Sequence, residues 1–230
     1  MPSIQQEITK NIALIEQKYE KEFSFYRDYL ISYNRNVNLT AITEKKEVSY
    51  KHFLDSLAGS FLFHGGETVA DVGAGAGFPS LPLAIVKKDV RFKLFESVNK
   101  KCDFLRSVIK ELALDNAEVV NLRAEDAARG IYREGFDAVV ARAVARMNVL
   151  SEYCLPLVKR GGKMIAYKAE TEEIGEAERA IFLLGGTKTT LYRYELPEEM
   201  GKRVLAVVEK GKNTPEKYPR GNGKERKNPL

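Results

Sequence analysis

The chain of 230 residues contains no tryptophan, two cysteines and two histidines. Cys102 and Cys154 stand far apart with no metal-ligand spacing around them, and His52 and His64 are too few and too scattered for a zinc site. Neither a metal centre nor a disulfide framework is therefore expected, and free buried thiols are the simpler reading. No apolar run approaches the roughly 20 residues that a bilayer-spanning helix requires, so no membrane partner is expected. The opening stretch MPSIQQEITKN has no basic-then-apolar pattern and no cleavage site. Export is thus not expected, and a cytoplasmic location is.

What is present suits a globular chain: 44% hydrophobic and 30% charged residues, enough to bury one full core with appendages. The net charge of +5 is localised. Residues 210–230 hold seven Lys/Arg and two Glu, which leaves 30 basic and 30 acidic residues elsewhere. A basic tail rich in Pro and Gly is either a solvated end or a contact for phosphates, where each contact adds salt-dependent affinity.

Two patterns divide the chain. Over 3–34, Ile4, Ile8, Ile12, Ile15, Tyr19, Phe23 and Tyr26 recur at helical steps behind Ser3, a plausible N-cap. The polar NRNVNLTAIT follows, and then a helix is predicted over 46–63 with Val48, Phe53, Leu57 and Phe61 on one face. From residue 67, five short β-rich runs alternate with amphipathic helices, the signature of a parallel sheet covered on both faces. TKTTLYRYEL and KRVLAVVEK come last without a helix between them and predict an antiparallel hairpin closing the sheet edge. The expected organisation is a helical extension over 1–64, an α/β domain over 65–210 and a basic tail over 211–230. Five βα units and a hairpin resemble the seven-stranded, Rossmann-like sheet of class I S-adenosylmethionine-dependent methyltransferases.

The segment VADVGAGAGFPSLPLAI (69–85) carries a glycine loop between a predicted strand and a predicted helix, the context of a ligand loop at the carboxyl end of a sheet. A P-loop requires a lysine that GAGAGFPS lacks. A dinucleotide fingerprint would place its third glycine at 78, where Phe78 stands; the glycines are Gly73, Gly75 and Gly77. Asp71 followed by this spacing resembles the first motif of S-adenosylmethionine-dependent methyltransferases.

Other strand ends supply candidate walls. Glu96 ends the second strand about 20 residues beyond the glycines, where an acid binds a ribose diol. Ala124, Glu125 and Asp126 open a helix after the third strand, either to grip an adenine edge or as first-turn acids. Arg142 ends the apolar strand FDAVVAR, next to the expected transfer site, where a base methyltransferase acting on exocyclic amines would carry an Asn/Asp-Pro-Pro-Tyr/Phe motif that is absent.

Together NVNLTAIT (36–43), KHFLDSL (51–57), DVGAGAGFPSLPLAI (71–85), the acid, lysine pair and Phe-Leu of 96–105, ARA (141–143), YK (167–168) and TPEKYPR…NPL (214–230) are similar to the RsmG family, also called glucose-inhibited division protein B. Ser80 and Ala169 depart from it, each standing where the family usually has glycine. The resemblance implies S-adenosylmethionine as donor and N7 of one guanine in 16S rRNA of the small ribosomal subunit as acceptor. Carried over by position, the donor contacts are Gly73, Phe78, Glu96–Ser97–Val98, Ala124–Glu125 and Arg142.

Guanine N7 attacks through an in-plane lone pair and has no proton to lose, so alignment and electrostatics should carry the reaction. Arg142 is the candidate orienting residue. His, Asp and Ser of HFLDS lie on one short helix and cannot form a hydrolase triad, so His52 is expected to pack or cap locally. Candidate RNA contacts are Lys100, Lys101, Arg123, Arg146, Lys168 and the tail's Lys217, Arg220, Lys224, Arg226 and Lys227. On this reading, loss of the tail weakens rRNA methylation and spares donor binding, and the chain acts as a monomer. A nicotinamide-dependent oxidoreductase and a non-catalytic RNA-binding protein on the same fold are the rival readings.

Overall fold

The computed structural model describes residues 3–169 and 172–230. Thr171, the first residue of the helical pattern predicted after the fifth strand, lies outside the described residues. Ser3 caps α1 (Ile4–Lys18) through a capping box: its hydroxyl accepts the Gln6 N–H at 3.3 Å, and Gln6 Oε1 accepts the Ser3 N–H at 2.8 Å. Of the predicted apolar positions, Ile8 of α1 and Phe23 and Tyr26 of α2 (Glu20–Asn34) are buried and Ile4, Ile12, Ile15 and Tyr19 half-buried; Leu30 of α2 joins the buried set. Asn34 then staples the polar turn. Its Oδ1 accepts the N–H groups of Leu39 and Thr40, and its amide donates to the Thr40 carbonyl.

The helix predicted over 46–63 differs in kind. Chain 45–57 runs as α3 (Lys45–Glu47), a π-helical stretch Val48–Leu54 and α4 (Asp55–Leu57), and a separate 3₁₀ turn covers Ser60–Leu62. Val48, Phe53 and Leu57 are buried as predicted, and Phe61 is half-buried. Apolar periodicity reports the buried face and not the winding. The carbonyls of Lys51 and His52 in this stretch also accept from a side chain outside the helix, described below.

The sheet contains β1 (Thr68–Val72), β2 (Arg91–Phe95), β3 (Ala117–Val120), β4 (Phe136–Arg142), β5 (Val158–Lys168), β6 (Gly186–Glu195) and β7 (Lys202–Lys210) in the order β3-β2-β1-β4-β5-β7-β6. The first five pair in parallel, and β7 runs antiparallel to both β5 and β6. The hairpin is thus present, with its second arm inside the sheet. Val204–Val208 of β7 is buried without a break, whereas Thr187–Tyr192 of β6 is exposed or half-buried and forms the edge.

Helices α5 (Ser80–Val86) and α6 (Asn99–Glu111) share one apolar core with α1, α2 and the 45–57 segment, built on Val69, Leu94 and Val140. On the opposite face α7 (Ala124–Arg129), α8 (Met147–Cys154), α9 (Glu172–Gly175) and α10 (Glu178–Leu183) pack near Ala70, Val139 and Ala206. Alternate residues of each strand serve the two cores, as the pleat requires. The end of the chain, with the short α11 (Lys224–Lys227), folds onto this second face and buries Tyr218. No described helix is long and apolar enough to cross a membrane.

Candidate active site

The paired strands β1, β2 and β4 bring their carboxyl ends together, with Val72 opposite Phe95 and Asp71 opposite Val140. The glycine loop leaves from there. Gly73 has φ +70°, and a Cβ on it would lie 2.9 Å from Val144 Cγ2; at Gly77 (φ +92°) a Cβ would meet Leu81 and the Tyr26 hydroxyl at 2.5 Å. Both positions therefore require glycine, for conformation and for space. The Tyr26 hydroxyl also donates to the Ala76 carbonyl and ties the loop to α2.

Glu96 holds the loop from the other side. Its Oε2 accepts the Gly75 N–H at 3.0 Å and its Oε1 accepts the Val98 N–H at 2.8 Å, so the carboxylate is fixed while each oxygen keeps a lone pair. A cleft of about 490 Å³ opens beside it, lined by Gly73, Glu96, Ser97, Ala124, Glu125 and Val144 among others. Asp71 lies fully buried at the root of the loop. Burial pushes its carboxyl up to about 7, although Oδ2 accepts the Ser80 N–H at 3.3 Å. Asp71 Oδ1 and the Ser80 hydroxyl have no hydrogen-bond partner among the described residues. A fixed acidic acceptor beside a tight backbone loop suits a ligand that carries hydroxyl groups.

Arg142 points into a different cleft, of about 390 Å³, shared with Lys51, His52, Asp55, Tyr167, Lys168 and Arg203. Its guanidinium donates to the Lys51 carbonyl at 3.1 Å and to Asp55 Oδ2 at 3.1 Å, approaches His52 Nδ1 at 3.0 Å and lies 4.7 Å over the Phe78 ring. Tyr194 donates to the other Asp55 oxygen at 2.7 Å. His52 stacks on Phe78 at 4.4 Å and meets the Thr40 hydroxyl at 2.9 Å through Nε2. Burial and the Arg142 charge push the imidazole down to about 3, so it is neutral at ordinary pH. It packs and bonds locally, as expected from sequence. Ala143, in the left-handed region at φ +57°, turns the chain so that Arg142 and Val144 line different clefts. Lys168 pins this turn by donating to the Ala145 carbonyl at 2.6 Å.

The structure thus gathers Gly73, Glu96, Ser97, Ala124 and Glu125 around one cleft, with Arg123 at its margin. Asp71, Gly75, Gly77 and Val98 stand behind or beside it as supports. The Phe78 side chain instead packs among Tyr26, Phe53, His52 and Arg142. Lys100, Lys217, Lys224 and Lys227 are exposed and Lys101 half-buried. Arg146 pairs with Glu176, Lys168 with Glu173 at 2.6 Å, and Arg220 with the fully buried Glu152 at 2.7 Å. Arg220 faces the fold, because a buried carboxylate demands a partner more strongly than solvent demands the arginine. Tyr153, Asn222, Gly223 and Arg226 also line the Glu96 cleft, unforeseen from sequence.

The family model described as rRNA small subunit methyltransferase G (GidB) matches residues 19–199. Two curated relatives named ribosomal RNA small subunit methyltransferase G, from Staphylococcus aureus strains bovine RF122 / ET3-1 and Newman, are each 45% identical over 224 residues, covering 96% of this chain and 93% of theirs. Among solved structures, a SAM-dependent O-methyltransferase from Thermotoga maritima is similar with a TM-score of 0.55 at 16% identity, covering 81% of this chain and 73% of that one. P. horikoshii TYW2, solved in complex with MeSAdo, gives 0.53 at 18% identity over 68% of this chain and 62% of that one. These likenesses establish the class I methyltransferase fold. With the family model spanning most of its length and close relatives aligned along nearly all of it, the chain belongs to the rRNA small subunit methyltransferase G (GidB) family.

Proposed function

We propose that this protein transfers a methyl group from S-adenosylmethionine to N7 of a specific guanine in 16S rRNA of the small ribosomal subunit. The observation that carries the reading is the pair of clefts divided by Ala143: one with a fixed acidic acceptor at Glu96, the other lined by Lys51, Arg142, Lys168 and Arg203 around the buried Asp55. Family membership supplies the reaction class and the rRNA acceptor, and the resemblance drawn from sequence supplies N7. When bound, S-adenosylmethionine provides an electrophilic methyl on a positively charged sulfur.

The residues of the chain align and shield. Glu96, anchored by the Gly75 and Val98 N–H groups, would accept from the ribose hydroxyls through its free lone pairs. Gly73 would let backbone approach the donor, and the buried Asp71 holds the root of the loop through the Ser80 N–H. On the acceptor side, guanine N7 would take the methyl through its in-plane lone pair. No proton moves. His52, held near pKa 3, is too weak a base to take one at neutral pH, which agrees with a reaction that needs none. Arg142 holds the 51–55 segment to the end of β4 and thereby shapes the acceptor cleft; acting through these contacts, it is a positioning residue.

Incubating the protein and labelled donor with 30S subunits that lack the modification, then mapping N7-methylguanine by chemical cleavage, tests the reading. One modified guanine in 16S rRNA is expected. Label at other positions, or none, would overturn the substrate assignment.

A further inference from the structure

The basic tail is built into the fold at three points. Arg133 donates to the carbonyls of Thr214 at 2.7 Å and Tyr218 at 2.8 Å, Tyr218 is buried, and Arg220 grips the buried Glu152 through both Nε and Nη2. Beyond these anchors Gly221, Asn222 and Gly223 have φ of +72°, +57° and +72°. Three left-handed residues in succession suit Gly-Asn-Gly and few other triplets, because every other side chain crowds its own carbonyl there. The turn is closed internally: the Lys224 N–H reaches the Gly221 carbonyl at 3.2 Å, and the fully buried Glu225 accepts the Gly221 N–H through Oε1. Its Oε2 has no partner among the described residues.

This turn faces the Glu96 cleft. Asn222, Gly223 and Arg226 line it, and Arg226 Nε donates to the hydroxyl of Tyr153, another lining residue, at 3.2 Å. Among the described residues, no tail residue lines the Arg142 cleft. We propose that the Gly221–Arg226 turn is a fixed wall of the donor site that retains the adenosyl group. The inference rests on the reading of this cleft as the S-adenosylmethionine site, and it makes the tail an organ of donor retention as well as a place for RNA contacts.

Calorimetric titration with S-adenosylhomocysteine tests it on the full chain, on a chain ending at Arg220 and on Arg226→Ala, which leaves the anchors in place. The shortened chain is expected to bind about tenfold more weakly, and Arg226→Ala roughly threefold. In both, KM for the donor should rise by a similar factor. Equal Kd for all three chains would overturn the wall. No binding to the full chain would overturn the reading of the cleft, and the wall with it.

Discussion

Two buried titratable residues pull stability in opposite directions with pH. Asp71, raised to about 7, keeps in the folded chain a proton that the unfolded chain loses near pH 4. Its contribution is therefore fully present below about pH 4 and is lost as the pH rises to about 7. His52, lowered to about 3, does the reverse: its contribution is present above about pH 6.5 and is lost as the pH falls through about 3. Between them the native chain should look nearly pH-independent over about pH 4–6.5. Asp71→Asn removes one side of this balance. Urea unfolding should show the variant gaining roughly 2–4 kcal/mol on the native chain between pH 4 and pH 8. A constant difference would refute the buried, raised carboxyl. Glu96→Gln keeps one oxygen for the loop and replaces the other with a donor where a ribose hydroxyl needs an acceptor. Its affinity for S-adenosylhomocysteine is expected to fall about tenfold or more, by calorimetry.

Among the elements, the stretch 45–57 shows how far local pattern reaches. Its apolar spacing identifies the buried side, and Val48, Phe53 and Leu57 lie there. The π winding is no part of that spacing, and neither is Arg142, some 90 residues away in sequence, which takes the Lys51 carbonyl and Asp55. The pair is buried, so removing one partner is costly. Asp55→Ala should lower stability by about 3–5 kcal/mol in denaturant unfolding. Asp55→Asn retains an acceptor for Tyr194 and weakens only the charge; we expect kcat for rRNA to drop at least severalfold while the Kd for S-adenosylhomocysteine stays within about twofold. A matching loss in both would place Arg142 in the donor cleft after all. The β6–β7 hairpin makes the same point. Continuous burial in VLAVV marks β7 as an interior strand, yet only pairing with β5 reveals that it enters between β5 and β6.

For the whole molecule, the excess of positive charge is concentrated at one end of the chain. Lys217, Lys224 and Lys227 are exposed, whereas Arg220 is bound to Glu152. Replacing the three lysines with alanine should reduce the salt dependence of RNA binding by roughly two in the slope of log K against log salt. An unchanged slope would remove the tail from the RNA interface. Arg220→Ala leaves Glu152 buried alone, and its effect should be on stability, about 3 kcal/mol in urea. By itself the sequence determined the parallel sheet, the glycine loop, Glu96 and the apolar faces, because alternation, helical spacing and glycine are local properties of the chain. The place of Glu96 beside the glycine loop was legible from its position at a strand end, whereas the partnership of Arg142 with Asp55 was not. Tertiary structure alone decided which cleft each residue enters, which cations are spent on buried acids, and that Gly-Asn-Gly in the tail turns back onto the Glu96 cleft. Those outcomes depend on pairs far apart in sequence, and only packing brings such pairs within reach of one another.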